Sequence, residues 1–165
     1  MHLHSPVRMK YFHDLEIGEL CQVQFGTGPG LSFPIAKDGT RRLIAILQLG
    51  DQVRPMVHEV RNLRTPCLSY GQEWVLSPDI PTNAVPVYGH SETPGSIHFN
   101  PDGAVMYLAP FSREAVSEGY PLGLPAFGYG QISHDSIVAL RWKLWISEQE
   151  RTRVGATPLL EFSHQ

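Results

Sequence analysis

Charge is scarce in this chain. Lys, Arg, Asp and Glu make up 18% of 165 residues, 13 basic against 16 acidic, for a formal net charge of -3. A nucleic-acid binder needs a basic face, because its affinity comes largely from releasing counterions at phosphates, so this balance argues against that class of partner. Cysteine is nearly absent. Cys21 and Cys67 are the two present; they make no metal-binding spacing by themselves, and both are expected to be reduced. No apolar run approaches the roughly 20 residues needed to span a bilayer, and Met1 to Lys10 lacks the apolar stretch of a leader, so the expectation is a cytoplasmic protein without a membrane partner. Helical periodicity is also scarce. The best stretch is Ser112 to Glu118, where Ser112 would cap a short turn. A chain of this length buries roughly 70% of its unfolded surface, so it needs no metal simply to hold a fold.

Turn-forming residues are plentiful, with 15 Gly and 14 Pro. They separate short runs rich in β-branched and aromatic residues, which predicts an all-β chain. Eight strands are expected: Leu20 to Phe25, Arg42 to Leu49, Pro55 to Val60, Glu73 to Leu76, Ala84 to Tyr88, Ser96 to Phe99, Ala104 to Ala109 and Ser136 to Ile146. The turns between them are Gly26-Thr27-Gly28-Pro29-Gly30, Lys37-Asp38-Gly39-Thr40 and Asn100-Pro101-Asp102-Gly103. The last is the strongest hairpin signal. Gly26 to Gly30 has no Lys and no following helix, so it is a turn and not a phosphate-binding loop. In the last run Val138, Leu140, Trp142, Leu144 and Ile146 share one face, the expected core, and Trp145 on the other face is a candidate for a homodimer interface. Gly119 to Gly130 reads as an ordered loop with an apolar side, a lid or a crossover. From about residue 151 the chain is expected to be a loosely held tail of one domain covering residues 1–165.

Histidine is the chemically informative residue, with 8 in the chain. His58, His90, His98 and His134 fall in or beside expected strands, where stiff backbone could aim them inward. The Pro94-Gly95 turn fixes where His98 points.

Pro94-Gly95-x-x-His98-x-Asn100 resembles the second motif of the cupins, small jelly-roll barrels that hold a metal inside. Gly71-Gln72-Glu73-Trp74-Val75-Leu76 is similar to the acidic residue and apolar strand of their first motif. Leu49 to His58 resembles the turn that leads into it. The resemblance spans about residues 49–110 and implies a cupin-type jelly roll, an antiparallel barrel or sandwich. It also implies a divalent metal held by Glu73 and His98, with His58 as third ligand. Such a set favours Fe(II), with Zn, Mn or Ni as alternatives, and oxygenase chemistry on a small molecule. Cys67 and Ser69 stand where the family carries His-x-His, so two readings remain open: His58 returns to the site through a loop, or the barrel is metal-free and binds a small ligand or a protein partner without turnover. His90 and Glu92, two apart and able to share a face, are candidate substrate contacts, as are Tyr88 and Tyr107 through their hydroxyls. A third reading makes Tyr120 to Tyr129 an apolar docking loop.

Overall fold

The computed structural model describes residues 7–61, 64–88, 93–111, 119–133 and 135–164. Among these the strands are β1 (Arg8–Tyr11), β2 (Leu20–Phe25), β3 (Gly28–Asp38), β4 (Arg41–Leu49), β5 (Gln52–Arg61), β6 (Pro66–Gly71), β7 (Val75–Pro78), β8 (Val87–Tyr88), β9 (Ile97–Asn100), β10 (Gly103–Pro110), β11 (Tyr120–Leu124), β12 (Asp135–Ala139), β13 (Arg141–Trp145) and β14 (Leu160–Ser163). A 3-10 turn, Phe12–Asp14, and one short helix, α1 (Glu148–Thr152), complete them. Strands β1 to β6 and β8 to β12 make one large sheet in the order β1-β6-β2-β3-β4-β5-β10-β9-β12-β8, with β11 also on β10. Strands β14-β13-β7 make a second, smaller one. The chain is all-β, as expected, and its sheets are stacked like a sandwich; the strand order runs open from β1 to β8, so the large sheet does not close into a barrel.

The long meander β2 to β5 follows from its turns. Phe25 pairs with Gly28, Asp38 with Arg41 and Leu49 with Gln52, leaving two-residue connections. Gly39 and Gly50 take φ of 56° and 57°, which suits two-residue hairpins whose twist matches the strands. The Asn100 turn likewise closes β9 on β10, with Asn100 opposite Gly103 and Ile97 opposite Met106. Strand β3 is not among the expected strands, and its first three residues belong to the expected Gly26 to Gly30 turn; Pro29 and Pro34 lie within it. The structure accommodates Pro34 at a register shift between Pro34 and Ala36, a bulge where no ladder donor is required.

The expected strand from Ser136 to Ile146 divides at Leu140. Its first half pairs with β9 in the large sheet and its second with β7 and β14 in the small one, so the segment is the corner joining the two layers. Trp142 and Leu144 are buried as expected, whereas Leu140, at the bend, is 39% exposed. The tail is not loose throughout: β14 lays Leu160 and Phe162 into the core, and the Phe162 ring stacks on Trp142 at 5.1 Å. The expected loop after Gly119 begins as strand β11, paired with β10. The Ser112 to Glu118 helix lies outside the described residues.

Two apolar clusters occupy opposite faces of the large sheet. Leu31, Phe33, Ala45, Leu47, Ile97, Met106, Leu108 and Leu122 meet Trp142, Leu144, Leu160 and Phe162 of the small sheet. On the other face Ile44, Ile46, Met56, Cys21, Val23 and Cys67 pack with Phe12 of the 3-10 turn and with Leu15, which follows it. Strand β4 therefore buries both faces, which explains its unbroken apolar run Leu43 to Leu47.

Candidate functional site

His98 lies on β9 between Ile97 and Phe99, which both face the small sheet. The two-residue period of a strand turns its imidazole to the other side of the large sheet. There it is fully buried, Nε2 sharing a hydrogen bond with Ser96 Oγ at 2.9 Å and Nδ1 with Ser136 Oγ at 3.3 Å. Both ring nitrogens are thus engaged by the protein. His58, on β5, follows Met56 and Val57, so it shares the Met56 face; its ring lies 4.3 Å from that of Phe111. Burial lowers its pKa, against a weaker opposing pull from the Glu59 carboxylate. Glu73 is exposed in the turn between β6 and β7. Among the described residues no three His, Cys, Asp or Glu side chains gather closely enough to hold a metal ion, so His58, Glu73 and His98 do not form the expected ligand set. The physical reason is strand order: His58 and His98 face the same side of the large sheet but stand on β5 and β9 with β10 between them, and Glu73 lies exposed outside the strands.

Of the other expected contacts, Tyr107 is the one whose side chain is described. Tyr107 alternates with Met106 and Leu108, which face the small sheet, and so lies on the reverse face of β10. Tyr88 pairs through its backbone with Asp135, and its side chain is outside the described residues, as are His90, Glu92 and His134.

An apolar cleft of about 560 Å3 lies beside the small sheet. One wall is Val75, Leu76 and Pro78 of β7; the other is Ile97, Phe99 and Ala104 of β9 and β10. Gln72, Trp74, Leu124, Pro125 and Phe127 complete the lining. Three aromatic rings form a supported cluster here. Trp74 lies 5.0 Å from Phe33 and 5.7 Å from Phe127, and Phe33 lies 5.2 Å from Phe127. The Trp74 indole N–H donates to the Gly18 carbonyl at 2.7 Å, fixing the ring. Gly18, at φ 76°, has the Phe127 ring where a Cβ would stand, so this position requires glycine both for its backbone and for the aromatic contact. Phe127 itself has φ 59°, an unusual conformation for an aromatic residue and one that the surrounding packing must hold.

A second, polar depression of about 710 Å3 lies beyond Gln72, lined among others by Arg8, Lys10, Glu19, Ser69, Glu73 and Glu150. Its charges are largely satisfied internally. Glu19 is 3% exposed; Lys10 Nζ lies 2.7 Å away, and Ser69 Oγ and the Glu16 amide donate to it. Burial pushes the Glu19 carboxyl up, but the hydrogen bonds from Lys10, Ser69 and the Glu16 amide and the Lys10 charge outweigh it, and its pKa falls below 4.5. Behind it Cys21 and Cys67 are free buried thiols on one face of β2 and β6. Cys21 is held protonated by its contact with Cys67 and by burial.

No family model matches the chain, and neither does any curated protein or solved structure. Among the described residues no helix is long and apolar enough to cross a membrane. The cleft was partly legible in the sequence. Trp74 stands out as a large apolar side chain and Gly119 to Gly130 as an apolar loop, but nothing in the linear order shows that residues 72–74 and 124–127 meet across β9 and β10.

Proposed function

We propose that this protein binds a small apolar molecule, without turnover, in the cleft between its two sheets. The carrying observation is the lining of that cleft: about 560 Å3 walled by Trp74, Phe99, Phe127 and aliphatic side chains, with no charged side chain among the lining residues. Its volume lies within the ordinary range of ligand sites, and a mostly apolar wall with few polar groups is the usual composition of such sites. The metal-dependent alternative gains less support. The histidine that the cupin resemblance would make a ligand has both nitrogens engaged by serine hydroxyls and faces away from the cleft.

The test is a titration of methyl-labelled protein with naphthalene, followed by NMR. The methyl signals of Leu76, Ile97 and Leu124 should shift together and saturate at one equivalent, whereas those of Ile44 and Ile46 on the far face should not. Ala104→Leu, which extends a side chain into the cleft from β10, should abolish the shifts while the protein stays folded by circular dichroism. Unchanged cleft methyls in the wild type would overturn the proposal.

A further inference from the structure

The polar inventory of the cleft narrows its occupant. Of the eleven lining residues only Gln72 and Trp74 carry side-chain hydrogen-bonding atoms. The indole N–H is already committed to Gly18. Gln72 Nε2 donates to the Ile17 carbonyl at 2.8 Å. A carbonyl can only accept, so this contact fixes which end of the amide is nitrogen and leaves Oε1 as the free atom. Its uncommitted atom is the acceptor Oε1; the nitrogen, anchored at Ile17, keeps one further N–H. The aromatic wall sets the rest. Rings favour offset or edge contacts with other rings, and Trp74, Phe99 and Phe127 offer such surfaces to a flat occupant. A dry cavity of about 150 Å3 already takes benzene, so this larger, half-open space suits two fused rings.

Resting on the reading of the cleft as a ligand site, we infer that its ligand is a planar, uncharged aromatic molecule bearing one hydrogen-bond donor, an O–H or N–H, and that Gln72 Oε1 accepts from that donor. Charged ligands are disfavoured because no lining side chain would compensate an ion taken out of water. Gln72 is exposed and its side chain lies on no strand, so replacing it leaves both cores intact.

The experiment compares 2-naphthol with 2-methoxynaphthalene, nearly equal in shape but differing in the donor, on wild type and on Gln72→Met, an apolar residue of similar length. Affinities are read from the same cleft methyl signals. One neutral hydrogen bond corresponds to roughly three- to tenfold in affinity. The preference for naphthol over its methyl ether should therefore fall by about fivefold in Gln72→Met, with the affinity for the ether nearly unchanged. Using the change in the ratio removes the difference in hydrophobicity between the two compounds. A ratio that moves by less than about twofold overturns the role of Gln72 and leaves the cleft reading standing, since both compounds would still bind. If neither compound moves the cleft methyls of wild type, the cleft reading fails and this inference with it.

Discussion

His98 attracts chemical interest from its sequence neighbourhood, and the fold gives its ring two serine partners. Its imidazole bridges Ser96 and Ser136 in a fully buried setting, so it joins β9 to β12 through side chains as well as through the ladder. His98→Ala would leave a cavity and two buried hydroxyls short of a partner. The expected cost is about 3 kcal/mol in urea unfolding, with naphthalene binding retained in the folded fraction. If the metal reading held instead, added Fe(II) or Zn(II) would raise the wild-type melting temperature, and the variant would lose that response. His58 carries a pH signature. Its folded pKa lies below the ordinary 6.5 because burial disfavours the charged ring. Its contribution is then complete above pH 6.5 and is lost as pH falls from there toward the folded value, since the unfolded chain takes up the proton first. The urea midpoint should therefore decline on the acid side of pH 6.5 more steeply in wild type than in His58→Leu; parallel profiles would contradict this.

At the scale of elements, the small sheet deserves its place because of two aromatic residues. Trp142 on β13 donates its indole N–H to the Gly95 carbonyl at 2.8 Å, and Phe162 on β14 stacks on it while filling the space beside Gly95. Gly95 has φ 87°, so the Pro94-Gly95 turn is required by backbone conformation and by the ring above it. That turn was legible in the sequence, but as the support of a metal ligand; its tertiary role is to receive β14. Phe162→Ala should cost about 3 kcal/mol in thermal or urea unfolding, a core-sized loss. A loss below about 0.5 kcal/mol would mean that β14 is peripheral after all.

At the scale of the molecule, the cleft belongs to neither sheet alone. It exists because β7 leaves the large sheet and pairs with β13, setting Val75, Leu76 and Pro78 opposite Ile97, Phe99 and Ala104. The same division at Leu140 that separates β12 from β13 is what gives the fold two layers. Any ligand binding at this site should therefore stabilise the joint between the layers. Saturating 2-naphthol should raise the melting temperature of wild type and leave that of Ala104→Leu unchanged, a difference that differential scanning calorimetry reads directly.

Local chemistry determined much of this protein in advance. Gly and Pro placed the Lys37-Asp38-Gly39-Thr40 and Asn100 turns, and the hairpins followed because positive φ and preset φ act over two or three residues. Alternation put Trp142 and Leu144 inside for the same short-range reason. What only the tertiary structure decided is which faces meet. A period of two tells which side chains share a face, but not which face is covered, nor that a strand breaks at Leu140 to change sheets. His98 meets Ser136 because the pairing of β9 with β12 sets that serine beside it. Trp74, Phe99 and Phe127 come together because non-local strand pairing, and not sequence spacing, brings residues 72–74, 97–104 and 124–127 around one space.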